Sequence, residues 1–142
     1  MTALAQRPTI THQPSPMTDG VITGHPRIIL RGEGGVLLVA ALATFVATGQ
    51  RWWLVPALLL VPDVFMAGYA RSSRLGARLY NLAHSYPLPA LVGALALWQD
   101  TRLLQAVAVL WFAHIGMDRL LGYGLKHDDS FTHTHLGMIG RP

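Results

Sequence analysis

Apolar residues fall into four long segments along this chain, separated by short polar stretches. The segments are residues 34–48, 52–69, 75–98 and 103–125. They approach the roughly 20 residues that a helix needs to cross the hydrocarbon core of a bilayer, and residues 28–30 can extend the shortest one. The connections GQR, ARSSR and QDTR are short, which makes consecutive helices antiparallel neighbours. The pattern predicts an all-α fold, an integral membrane four-helix antiparallel bundle.

The composition agrees with a membrane protein. Hydrophobic residues make up 51% of the 142 residues and charged residues 13%, against about a quarter in soluble domains. Mean hydropathy is +0.36. The chain has no cysteine, which excludes disulfides and thiol chemistry. The net charge is +4, but the basic residues do not cluster on one face with stacking aromatics, so we expect no nucleic-acid partner.

The first 26 residues differ from the rest of the chain. They hold four of the nine prolines and many Thr, Gln and Ser, without a sustained apolar period. Prolines interrupt the place where a secretory signal has its apolar core, so we expect this stretch to be a retained, disordered cytoplasmic tail. The predicted organisation is a tail over 1–26, a four-helix transmembrane domain over 27–137 and a carboxyl-terminal tail over 138–142.

Basic residues predict the orientation in the membrane. The first and third connections, on one side of the predicted bundle, carry only Arg51 and Arg102. The other side carries nine basic residues: Arg7, Arg27, Arg31, Arg71, Arg74, Arg78, Arg119, Lys126 and Arg141. By the positive-inside rule both termini and the second connection lie on the cytoplasmic side of a membrane that the chain crosses several times.

Six ionisable residues lie within or just after the apolar segments, where hydrocarbon disfavours them: Glu33, Asp63, His84, His114, Asp118 and His135. Such residues at membrane depth are costly and mark a functional site by default. At 1.5 Å per helical residue, those on the four helices lie roughly 3 to 14 Å from the cytoplasmic helix ends. All four helices therefore contribute an acid or an imidazole to the same cytosolic half of the bundle.

Local spacing supports this convergence. His114 and Asp118 are four residues apart and share one helical face, as do Asn81 and His84, three apart. Prolines beside the polar residues, Pro62 in the second segment and Pro87 and Pro89 in the third, bend helices and free backbone carbonyls. At membrane depth such carbonyls are tolerated where protein or a wet cavity takes them up.

Imidazoles and carboxylates together favour a divalent ion such as Zn, Mn or Fe. The predicted metal ligands are Asp63, His84, His114, Asp118 and His135. His135 is preferred to His133 because alternate residues of an extended segment point opposite ways. Glu33 and Asp63 are the predicted catalytic carboxylates, with Glu33 as a general base or further ligand. Arg119 is expected to pair with Asp118 or Glu33.

The strings RGEGG, WWLVPALLLVPDVFMAGY, GARLYNLAHSYPLP, WFAHIGMDRLLGYGLKH and THLG resemble the pattern of the small bacterial membrane proteins grouped as domain-of-unknown-function family 4260, over about residues 31–137. That resemblance implies a location in a bacterial inner membrane. It places motif positions at all six ionisable residues above, at Tyr80, and at the supporting residues Asn81, Arg119, Tyr123 and Lys126, while His133 does not fall on one. A weaker likeness concerns the order of polar residues along the chain, which is a PD pair, a downstream His, an H and D/R pair, and a terminal TH. This order resembles that of membrane-bound metal-dependent hydrolases of the YdjM type. The family implies no activity.

The leading hypothesis is a membrane metalloenzyme that hydrolyses a lipid or a lipid-linked phosphate entering from the cytosolic leaflet, with a metal-activated water as nucleophile. Three alternatives stay open. The same residues can form a proton or ion pathway, His84 and His114 can ligate a haem across the bundle, or the polar residues can serve packing alone. The sequence gives no oligomeric state.

Overall fold

The computed structural model describes residues 20–140, so most of the predicted tail and the last two residues lie outside the described part. The chain is mostly helical. Its elements are α1 (Gly24–Ala47), α2 (Leu54–Leu59), a 3₁₀ helix (Val61–Ala70), α3 (Ser73–Ala83), α4 (Pro87–Trp98), α5 (Arg102–Leu121), β1 (His133–Thr134) and β2 (Gly137–Met138). Each of the four predicted apolar segments is helical, and two of them are interrupted.

The first helix is longer than the hydropathy pattern indicates. It begins at Gly24 and continues without a break to Ala47. Pro26 lies in its first turn, where the missing N–H has no intrahelical partner to lose. Glu33 therefore lies inside α1, which corrects its predicted position at the helix start.

Prolines end helices in the second and third segments instead of merely bending them. Pro62 lies at the start of the 3₁₀ helix that follows α2, and Asp63 lies in the first turn of that helix. In the third segment α3 ends at Ala83, His84 is its C-cap, and α4 begins at Pro87. Pro87 and Pro89 lack the backbone N–H that a continuing helix needs. The interruptions thus place Asp63 and His84 at helix ends.

Helix α5 is the centre of the packing. It runs antiparallel to α1, because Arg31 bonds to Leu120 near one end and Phe45 packs on Ala106 near the other. Between these points the two backbones touch at Gly34 and Gly116, where an added Cβ on either residue would lie 2.7 Å from the other helix. Helix α4 packs on α5 from another direction.

The 3₁₀ helix and α3 form a second close pair. Gly68 and Gly76 face each other, and the ring of Tyr69 fills the space in which a Cβ on Gly76 would lie. Trp111 of α5 joins this pair to the centre, since its Nε1–H donates to the Ala83 carbonyl at 2.6 Å. That carbonyl is one of those freed where α3 ends.

The carboxyl-terminal segment forms a small hairpin that the all-α prediction missed. Strands β1 and β2 pair antiparallel, with Thr134 opposite Gly137. The segment is fixed to α3 by Asn81, whose amide Nδ2 donates to the Lys126 carbonyl at 2.9 Å and whose Oδ1 accepts the Lys126 N–H at 2.7 Å. The predicted boundary after residue 137 divides β2. The hairpin folds back beside the polar site.

Helices α1 and α5 are long and apolar enough to cross a membrane. Large apolar side chains are also exposed outside the core, among them Val36 (72%), Trp52 (79%) and Trp98 (84%). Water disfavours so much exposed apolar surface, whereas lipid tails do not. The number of spans and their orientation stay predictions.

The contact between α1 and α5 predicts opposite changes in the free energy of unfolding for two glycine-to-alanine substitutions. Gly116→Ala should lower the free energy of unfolding by about 1–3 kcal/mol, because its Cβ meets the backbone of Gly34 and Leu38. Gly32→Ala is the matched control, since nothing lies within 4 Å of its Cβ and alanine favours a helix by about 1 kcal/mol over glycine. Denaturant unfolding in detergent measures both, and equal stability of the two variants would contradict the backbone contact.

Candidate metal centre

Three side chains from three separate elements direct donor atoms to one point. Asp63 comes from the 3₁₀ helix, His84 from the end of α3 and His114 from the middle of α5. Their donor atoms all lie within 4.8 Å of one another. Both imidazoles are buried, at 3% and 1% exposure, and Asp63 is partly exposed. These residues could hold one metal ion.

The distances between the donor atoms suit a single ion. Asp63 Oδ1 lies 3.5 Å from Nε2 of His84 and 3.5 Å from Nε2 of His114, and the two Nε2 atoms lie 2.9 Å apart. Ligands bound tetrahedrally at about 2.0–2.2 Å lie about 3.3–3.6 Å from each other. Two of the three separations fall within this range, and the third is shorter.

Asp118 lies beside this group. Its Oδ2 is 3.6 Å from Nε2 of His84 and 3.9 Å from Nε2 of His114. It does not belong to the set whose donor atoms all lie within 4.8 Å of one another, and the Tyr80 hydroxyl donates to the same oxygen at 2.6 Å. This geometry suits a carboxylate next to an ion better than a ligand, and the predicted ligand role of Asp118 stays a prediction.

The tautomer of His84 is fixed by the backbone. Its Nδ1 lies 2.8 Å from the Tyr80 carbonyl, which can only accept, so Nδ1 carries the proton and donates. In the neutral ring Nε2 then presents a lone pair to the group, the arrangement that protein ligands of metals usually have. The Tyr80 ring stacks on the imidazole with centroids 3.6 Å apart. The Nδ1 of His114, in contrast, is buried and has no hydrogen-bond partner among residues 20–140.

The spacing argument gave Tyr80 no role, although the family resemblance places it on a motif position. It contacts His84 through its ring and its carbonyl, and Asp118 through its hydroxyl. The signal was present in YNLAH, because Tyr80 and His84 are four residues apart and share a helical face. A tyrosine reads as an apolar residue in a hydropathy pattern, which hides its polar end.

A cavity of about 320 Å³ opens beside the group and gives it access to a ligand. Polar and charged side chains of the site share its wall with apolar ones. The lining residues are Asp63, Met66, Tyr80, His114, Met117, Asp118, Leu121, Tyr123, Lys126, Phe131 and Ile139. The cavity therefore combines acidic and basic groups with a largely apolar surface, as small-molecule sites do.

Lys126 places a cation in this cavity. Its ammonium lies 4.8 Å from the centroid of Tyr80 and 4.2 Å from that of Phe131, and the residue is 5% exposed. Burial lowers the pKa of Lys126 to about 8, although the negative charges of Asp118 and Asp63 act to raise it. Asn81 positions Lys126, because its two hydrogen bonds to the Lys126 backbone hold that residue at the cavity wall.

Other predicted residues lie apart from the group. Glu33 is exposed on α1 and does not line the cavity. The Nδ1 of His135 accepts the Leu125 N–H at 2.8 Å, which engages that nitrogen, and burial lowers the pKa of this imidazole. The roles given to Glu33 and His135 stay predictions that this geometry does not support.

Arg119 differs from its expected pairing. Within residues 20–140 it forms no ion pair with Asp118 or Glu33, and its guanidinium lies 4.3 Å from the Tyr86 ring centroid. Tyr123 lines the cavity from the end of α5 and is 40% exposed. Outside the site, His133 Nδ1 pairs with Asp129 at 2.8 Å, and this hydrogen bond lowers the pKa of Asp129.

Comparison with known proteins finds one family. The family model described as Domain of unknown function (DUF4260) matches residues 27–139. This confirms the resemblance predicted from the sequence motifs. The searches found no matching curated protein and no matching solved structure. The likeness to metal-dependent hydrolases of the YdjM type stays a prediction.

The hydroxyl of Tyr80 predicts a large difference between two tyrosine variants. Tyr80→Phe removes a hydrogen bond to a carboxylate and should lower the free energy of unfolding by about 1.5–3 kcal/mol. Tyr69→Phe is the control, because the buried Tyr69 hydroxyl has no hydrogen-bond partner in the described part of the chain. Unfolding curves of both variants test this, and an equal loss of stability would show that the Asp118 contact contributes nothing.

Proposed function

Since the chain belongs to the DUF4260 family, whose description states no activity, we propose a function from the geometry of the site. The protein is a membrane protein that binds one divalent metal ion through Asp63, His84 and His114. It uses the ion to hydrolyse a lipid or a lipid-linked phosphate that enters the neighbouring cavity.

The observation that carries this proposal is the convergence of two imidazoles and a carboxylate at the distances given above. Neutral imidazole and carboxylate together suit zinc, iron and manganese. A buried imidazole nitrogen 2.9 Å from another needs a proton or a cation between them. A metal ion supplies that positive charge and takes a lone pair from each ring.

The site also has the parts that a hydrolytic reaction needs. A divalent ion polarises a phosphoryl or carbonyl oxygen and lowers the pKa of water. Three protein ligands leave a coordination position open, as in catalytic zinc sites. Asp118 lies next to the donor group and is the general base in this proposal. The ammonium of Lys126 faces the same cavity and stabilises negative charge on the reacting group.

The surface supports a lipid as substrate. Helices α1 and α5 are long and apolar enough to cross a membrane, and the cavity wall contains Met66, Met117 and Leu121 beside its charged groups. A soluble phosphate ester has no apolar part to bury there, whereas an acyl or prenyl chain does.

One second function has a specific observation in its favour. Tyr80 bonds to Asp118 at 2.6 Å and His84 to His114 at 2.9 Å, and 3.6 Å separates the Asp118 carboxylate from the nearer imidazole. Chains of such groups carry protons in membrane proteins. A proton pathway works without a bound metal, which distinguishes it from the hydrolase. A haem held by both imidazoles would need more room between their Nε2 atoms than the 2.9 Å present.

The metal proposal predicts stoichiometric binding. Protein purified in detergent should contain about one equivalent of zinc, iron or manganese by elemental mass spectrometry, and His114→Ala should lose it because one ligand nitrogen is gone. His25→Ala is the matched control, since His25 is exposed on α1. Circular dichroism confirms that each variant is folded. A folded His114→Ala variant that keeps its metal would overturn the ligand set.

The proposed role of Asp118 as general base predicts different effects of its substitution on metal binding and on turnover. Asp118→Asn should keep the metal but lower the turnover of a short-chain phosphatidate by about 10²–10⁴-fold, because the amide cannot accept the proton. Asp128→Asn is the control, since Asp128 is exposed and pairs with Arg74 and Arg78 outside the cavity. Unchanged turnover in Asp118→Asn would remove its assigned role, and proton flux through metal-free protein in liposomes would favour the pathway instead.

A further inference from the structure

Two arginines of α1 line a second cavity that adjoins the metal centre. Arg27 and Arg31 are four residues apart, so they share one helical face. The cavity between them and the carboxyl-terminal hairpin has a volume of about 290 Å³. Both arginines therefore line a half-open space that a small ligand can occupy.

The structure holds these two guanidinium groups in place. The Nε–H of Arg31 donates to the Leu120 carbonyl at 2.9 Å, which fixes the side chain against the end of α5. The Arg27 guanidinium lies beside Gly137, where a Cβ would be 3.4–3.6 Å from its Cζ and both Nη atoms. Gly137 has a φ of 118°, so the hairpin turn favours glycine here and leaves room for the arginine.

The positive charges lack a protein counterion in the described part of the chain. Across residues 20–140, neither Arg27 nor Arg31 forms an ion pair with an Asp or Glu side chain. The Nε of Arg27 is also buried without a hydrogen-bond partner. Buried cationic donors in proteins are normally paired. A bound anion would supply an acceptor for Arg27 and a counter-charge for both groups.

The position of this cavity relates it to the site. Leu121, Tyr123 and Ile139 line both the arginine cavity and the metal cavity, so the two spaces share a wall. On its other side, an apolar groove runs along α1 past Gly32, Gly35, Val36 and Val39 to Leu120, the residue whose carbonyl holds Arg31. The two arginines thus lie between the metal group and an apolar surface.

We propose that Arg27 and Arg31 form a subsite that binds a phosphoryl group of the substrate. Planar guanidinium groups bind phosphate oxygens in pairs, which lysine does not do. The neighbouring apolar groove would hold the hydrocarbon part of a lipid phosphate. The subsite deepens the proposed function and rests on it for the reaction, but binding of phosphate at the two arginines does not require the metal.

Binding of inorganic phosphate to protein stripped of metal by a chelator tests this subsite. Titration calorimetry of the detergent-purified protein should show binding, and Arg27→Gln or Arg31→Gln should weaken it by at least about tenfold. Arg51→Gln is the matched control, since Arg51 is exposed beyond the far end of α1. Binding that both α1 variants retain, or that Arg51→Gln weakens equally, would overturn the proposal.

Further measurements separate the two proposals and identify the ligand. Arg27→Gln and Arg31→Gln should keep the metal, because neither residue belongs to the donor group; phosphate binding that needs the metal and ignores both variants would contradict the subsite while leaving the metal centre intact. If the variants do not fold, phosphate should still raise the unfolding midpoint of the parent protein above that in chloride of equal ionic strength, and no rise would overturn the subsite. Tighter binding of short-chain phosphatidate than of phosphate identifies a lipid, and equal binding identifies free phosphate.

Discussion

The contact between His84 and His114 is the interaction on which the account depends. Nδ1 of His84 donates to a backbone carbonyl, so its Nε2 offers a lone pair to the other ring 2.9 Å away. Without a cation, a neutral His114 can donate its one ring proton from Nε2 to this lone pair. A metal ion between the rings would replace that proton and could also bind Asp63. The pair together with Asp63 could therefore hold a cation.

Helix interruptions create this pair. A continuous third helix would carry its backbone hydrogen bonds through residues 84–87, whereas the prolines end α3 at Ala83 and leave His84 as a cap. The Ala83 carbonyl, freed at the helix end, accepts from Trp111. The Tyr80 carbonyl accepts both the backbone N–H and the Nδ1–H of His84. The glycine contacts of α1 with α5 and of the 3₁₀ helix with α3 bring these elements close enough for the side chains to meet.

Much of the site was accessible from the sequence, because helical spacing and depth within apolar segments carry information about location. Asp63, His84, His114 and Asp118 were all predicted for one half of the bundle, and the structure brings them together. Depth counting assumes straight, continuous helices, so it could not locate Glu33 once α1 began earlier, at Gly24. It also could not find the hairpin, whose two-residue strands have no periodicity to detect, or the Tyr80 hydroxyl, which depends on tertiary contact.

X-ray absorption at the edge of the bound metal tests the central claim most directly. The account predicts an inner shell of nitrogen and oxygen at about 2.0–2.2 Å with the outer-shell scattering of two imidazoles. In a His84→Ala variant reloaded with the same metal, the imidazole contribution should fall by about half. A shell of oxygen alone, or an imidazole signal that His84→Ala leaves unchanged, would show that the ion is bound elsewhere and would contradict the account.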